Sequence, residues 1–169
     1  DGENGGFDTD LADLTLNGPV IVSAGGIGSS AGTVTFGANS GATSFTTNTG
    51  MQLDNSTLNL GVAVNMDWLT LIGENSVLTT NGNTLTLNGG LKIGGGSELD
   101  LTNVVTDNES ELVLAGDASI TKTGDLVFKS LSIKGYKLIL NSNIASLTTN
   151  HIWLFNSWDT SDQKYLANT

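Results

Sequence analysis

Cysteine and arginine are absent from this 169-residue chain, and proline and histidine occur once each. Without cysteine there is neither a disulfide nor a thiolate metal site to staple the fold. Six lysines stand against 17 Asp and Glu, giving a net charge of −11. A nucleic-acid partner is not expected, because neutralising phosphates takes clustered Lys and Arg. An anionic membrane surface would repel the chain for the same reason. The charge is also uneven: residues 1–91 carry eight acids and no base, and every lysine lies from Lys92 onward. Long hydrophobic runs are missing, so membrane insertion is not expected, and no apolar signal segment opens the chain. These features read as a mature or excised soluble piece of about one domain.

What is present is Gly, Ser, Thr and Asn around evenly spaced aliphatic pairs. There are 22 glycines, and the hydrophobic fraction of 38% is low for a globular domain. Disordered chains, however, lack such regular pairs. A phrase of the form Leu-x-Leu-x-Gly, or with Ile third, recurs at Leu14–Gly18, Leu69–Gly73, Leu85–Gly89, Leu91–Gly95, Leu112–Gly116 and Leu131–Gly135. Each copy points two aliphatics to one face of an extended segment, and the Gly or Asn that follows lets the backbone turn. Between the pairs stand turn residues such as Asn81-Gly82-Asn83 and Gly94-Gly95-Gly96. No window keeps a helical period. The apolar segments span only three to five residues, short for a sandwich or barrel, whereas stacked coils need no more. The expected fold is therefore all-β, a parallel β-solenoid of about six coils, three strands and roughly 22–26 residues to a coil. The expected layout is an acidic segment over residues 1–13, the solenoid over 14–155 and a tail or cap over 156–169.

Chemistry is thinly supplied. His151 is the only histidine, no Gly-x-Ser-x-Gly elbow accompanies it, and a surface position is expected. Gly26-Ile27-Gly28-Ser29-Ser30-Ala31-Gly32 resembles a phosphate loop only superficially, since no lysine follows. Paired carboxylates could serve glycoside hydrolysis, with Asp100 and Asp125 or Glu98 and Glu111 as candidates, but stacked coils display such residues by default. Asp8, Asp10 and Asp13 form a weak calcium pattern that lacks the glycine and distal Glu of an EF-hand loop. An acidic, solvated guard over the first edge is the simpler reading. Near the C-terminus Ile152, Trp153, Phe155 and Trp158 make the one aromatic-rich stretch, a candidate cap or contact surface that could also stack on sugar rings.

With its Leu-x-Leu-x-Gly rungs and Asn-Gly turns, the chain resembles the parallel β-solenoids of bacterial surface and secreted proteins, nearest to filamentous-haemagglutinin-like adhesins and autotransporter passengers. The resemblance spans about residues 14–155 and concerns fold style, so it carries over no functional residue. It implies an extracellular or cell-surface location, which the acidic, Arg-free, Thr/Asn/Gly-rich composition also suits. Polysaccharide lyases that share such a helix use a catalytic Arg, which is missing here. The expected role is non-catalytic and structural: a fibre subunit that associates with itself, or an adhesin shaft, without a cofactor. The alternative is a polysaccharide-active or glycan-binding β-helix of spike-module type, with surface glycans as partners.

Overall fold

A computed structural model describes residues 7–8, 12–22, 25–39, 43–45, 49–141, 143–159 and 164–167. No helix occurs among them, and every strand pairing up to Trp153 is parallel. The chain winds as a β-solenoid of about six turns. Each turn contributes one short strand to each of three faces, as the spacing of the aliphatic pairs predicts.

The first face follows the register Phe7, Ile27, Met51, Leu69, Leu91, Leu112, Leu131, Ile152. A second face stacks Leu14, Val34, Leu58 and Leu78, then continues in Leu99, Ile120 and Leu140. Its ladder is broken once, where Val77–Thr79 lies beside Ser97–Asp100 without joining it. The third face carries Val64, Leu85 and Val104 in register, and later Leu126 on Leu147. Most turns are shorter than the 22–26 residues the sequence spacing suggests. One turn takes 24 residues between Ile27 and Met51 but only 18 between Met51 and Leu69.

Inside runs one continuous apolar column. Val34, Phe36, Leu53, Leu58, Leu69, Leu85, Leu91 and Ile120 are fully buried, and Phe36 meets Phe45 edge-on at 6.4 Å. Each such side chain contributes roughly 1.5–3 kcal/mol by leaving water. Outward residues at the alternate positions, Thr70, Thr86, Lys92 and Val113, stay partly exposed. Side-chain amides link successive turns on the surface: Asn81 donates Nδ2–H to Asn59 Oδ1 and Asn88 to Asn65 Oδ1, both at 2.7 Å.

The recurring phrase does different jobs on different faces. Four of its six copies (those starting at Leu69, Leu91, Leu112 and Leu131) lie on the first face. There the chain must turn sharply into the second face, and left-handed residues mark the bend in five turns, though not in the one after Leu114. They are Ala31 (φ 62°), Asn55 (φ 47°), Gly73 (φ 102°), Gly95 (φ 66°) and Lys134 (φ 51°). Only Gly adopts that conformation without strain, and Asn tolerates it best among the rest. The copy at Leu85–Gly89 differs, because its glycine makes room for an indole. A Cβ on Gly89 would stand 2.5 Å from Trp68 Nε1, and one on Gly90 2.9 Å from Trp68 Cη2.

Polar groups inside are few and mostly satisfied. Ser56 Oγ donates to Ser29 O at 3.0 Å, and Ser110 Oγ to Leu87 O at 2.6 Å. Lys122 is 9% exposed and donates to the carbonyls of Leu101 (3.0 Å) and Val104 (2.6 Å). Burial holds its pKa below the ordinary lysine value, against the pull of Asp100. After Trp153 the parallel winding stops, and Phe155–Asp159 pairs antiparallel with Lys164–Ala167.

Candidate functional site

The outer surface of the first face is where shape and chemistry meet. Its outward residues fall into columns, and one of them reads Gly26, Gly50, Trp68, Gly90, Glu111, Ser130, His151. The next reads Asp8, Gly28, Gln52, Thr70, Lys92, Val113, Ser132, Trp153. Three glycines thus meet in neighbouring turns, and the face is hollow there. The hollow is a trough of about 710 Å³ with Gly26, Gly28 and Gly50 along its floor and Trp68 among its walls. Asp8, Ser30, Gln52 and Asp54 stand exposed around it.

Trp68 is held by packing. It ends the tight corner between the third and first faces, its backbone N–H donates to Thr49 O at 3.3 Å, and its ring leans over Gly89 and Gly90. Gly28 is less constrained than its neighbours. A Cβ there would meet Asp8 Cγ at 3.4 Å, an ordinary contact, whereas one on Gly26 would stand 2.7 Å from Gly50 O.

A second, smaller cleft of about 310 Å³ opens farther along the same face, between Glu111, Val113, Ser130, Ser132, Lys134 and Trp153. It shares a tryptophan, a carboxylate and small hydroxyls with the first and adds a cation, Lys134.

The residues singled out in the sequence scatter more widely. Ile152 and Trp153 end the strand Ile144–Trp153, at 54% and 49% exposure. They point differently: Ile152 continues the inward column of Leu131, and Trp153 stacks after Ser132 on the outer face. Phe155 and Trp158 belong to the antiparallel pair, and their side chains lie outside the described residues. Asp8 pairs with Gly28 on the first face, while Asp13 Oδ1 accepts the Thr33 N–H at 2.8 Å before the second. Asp10 lies outside the described residues. Among the described residues no three His, Asp or Glu side chains converge as a metal ion would require.

Neither carboxylate pair shares a face. Asp100 and Glu98 lie on the second face, Asp125 on the third and Glu111 on the first. His151 is exposed, as expected, beside Ser130 in the ladder. Gly26–Ser30 is a strand and no phosphate loop. Reading the sequence missed the Trp68 trough. Seeing it required aligning Gly26, Gly50 and Trp68, and turns of 24 and 18 residues conceal that alignment.

Fold and surface together define the class: a parallel β-solenoid with a packed apolar column and a hollowed outer face. No protein-family model matches the chain, and no curated protein or solved structure gives a significant match.

Proposed function

We propose that this chain is a non-catalytic structural protein of the extracellular space or cell surface. It is a self-associating fibre subunit or the shaft of an adhesin, in the style of filamentous-haemagglutinin-like adhesins and autotransporter passengers. The supporting observation is the exposed apolar column in the last turn of the described residues. Leu140 continues the inward column of Leu99 and Ile120 yet is 38% exposed, and Ile152 continues that of Leu91, Leu112 and Leu131 yet is 54% exposed. Equivalent residues one turn earlier, Ile120 and Leu131, are 0% and 3% exposed. Among the described residues, strand edges without a further partner and exposed core residues together invite another turn, and a second copy can supply it.

Sedimentation velocity and negative-stain microscopy test the reading. Particles should lengthen as concentration rises, and the double substitution Leu140→Glu, Ile152→Glu should hold them at one length. Strictly monomeric behaviour at every concentration would sink the fibre subunit and leave the shaft. Turnover of a polysaccharide that one Asp or Glu substitution abolishes would end the non-catalytic role.

A further inference from the structure

We infer that the trough beside Trp68 is a binding site for a neutral glycan. Saccharide recognition calls for an aromatic wall to meet the C–H face of a sugar ring and for polar groups at the rim to meet its hydroxyls. Here Trp68 lines the trough one turn beyond Gly50, with its ring leaning over Gly89 and Gly90, and Asp8, Gln52 and Asp54 supply acceptors and a donor around a floor of glycines. The volume of about 710 Å³ lies within the range of small-ligand sites. Trp68 needs little ordering on binding, because its ring already rests on Gly89 and Gly90.

Charge narrows the ligand. Among the described residues the trough's charged lining is Asp8 and Asp54 with no cation, on a chain of net charge −11, so uronic-acid and sulfated polymers are repelled. A neutral hexose polymer is left. A polymer suits the surface better than a single sugar, because the cleft at Trp153 again offers a tryptophan, a carboxylate and hydroxyls along the same face, with Lys134 as an added cation. This site is independent of the self-association proposed above, since it lies on the side of the solenoid and not at its open turn.

Isothermal titration of the intact protein with cellohexaose, maltohexaose and chitohexaose, and with polygalacturonate as the acidic comparison, tests the inference. At least one neutral hexasaccharide should bind with Kd of about 1 mM or tighter, and polygalacturonate should not. Trp68→Ala should weaken binding at least tenfold. That variant loses packing and can fail to fold, so Gly28→Gln is the second probe: its side chain enters the trough with no backbone clash. It should weaken binding to the same extent while circular dichroism and melting stay as in the parent, and Asn150→Ala on the opposite reach of the chain should bind normally. The inference is overturned if none of the three neutral probes binds, if only polygalacturonate binds, or if a folded Gly28→Gln protein binds undiminished.

Discussion

At the scale of single residues, alternate positions on one strand have opposite fates. Leu87 and Leu114 are each 1% exposed, while Thr86 and Val113 beside them face partly outward. Placing a carboxylate at Leu87 or Leu114 puts an unpaired charge in a dry column with neighbours above and below. Leu87→Asp and Leu114→Asp should each lower unfolding free energy by more than about 4 kcal/mol, whereas Thr86→Lys and Val113→Lys should stay within about 1 kcal/mol. Urea titration of the four variants decides this, and equal effects within a pair would mean that the inward register is wrong. Ser97 is the opposite case. Its Oγ is buried without a partner, while the next residue in its column is Ala118. Ser97→Ala removes an unsatisfied hydroxyl and should raise stability by about 1 kcal/mol; a loss of that size would reveal an unseen partner. Leu pairs announce themselves in the sequence by period two. Ser97 and Lys122 do not, because a lone Ser or Lys between strands looks the same whether it faces water or a carbonyl.

At the scale of elements, the turns are specified as closely as the strands. Asp107 closes the bend before Glu111–Leu114: its Oδ1 accepts the Glu109 N–H at 2.8 Å, the Ser110 N–H at 3.1 Å and the Ser110 hydroxyl at 3.1 Å. The Glu109 N–H is the chief cause that holds its pKa below 3.8, with both Ser110 donors adding and desolvation opposing. A carboxyl with a depressed folded pKa stabilises the fold above its unfolded value, and that contribution is lost as pH falls through the folded one. Asp107→Asn keeps an acceptor but discards the charge. The variant should therefore melt lower than the parent at pH 7, and the gap should close as pH drops below 3.8. A gap that persists unchanged at pH 2 would locate the effect in shape and not in charge. From sequence, the turn residues and the strands were readable, since Gly and Asn punctuate aliphatic pairs. The length of each turn was not, because the corner at Asp67-Trp68 is tight while the stretch after Phe36 is long. That variation also hid the column of Gly26, Gly50 and Trp68, and with it the trough.

At the scale of the whole molecule, the fold class was legible and the surface was not. Repetition encodes a stack of turns, but function rests on which outward residues align, and that is settled only by three-dimensional register. The same scale decides how copies would meet. Residues 1–91 carry eight acids and no base, and residues 92–169 carry nine acids and six lysines, so both halves are negative. Lys134 and Lys137 stand near the open turn and could attract the acidic first turn of a neighbour, yet such exposed contacts contribute less than about 1 kcal/mol each. Apolar contact through Leu140 and Ile152 is the larger attraction, and repulsion between copies of net charge −11 is the main opposition. Salt screens the repulsion, shrinking the Debye length from about 30 Å at 0.01 M to about 8 Å at 0.15 M, and leaves apolar contact intact. Self-association should therefore strengthen as sodium chloride rises over that range, read as a growing weight-average sedimentation coefficient at fixed protein concentration. Association that weakens instead would show that lysine–carboxylate pairs hold the copies together, and Lys134→Gln with Lys137→Gln should then dissolve it.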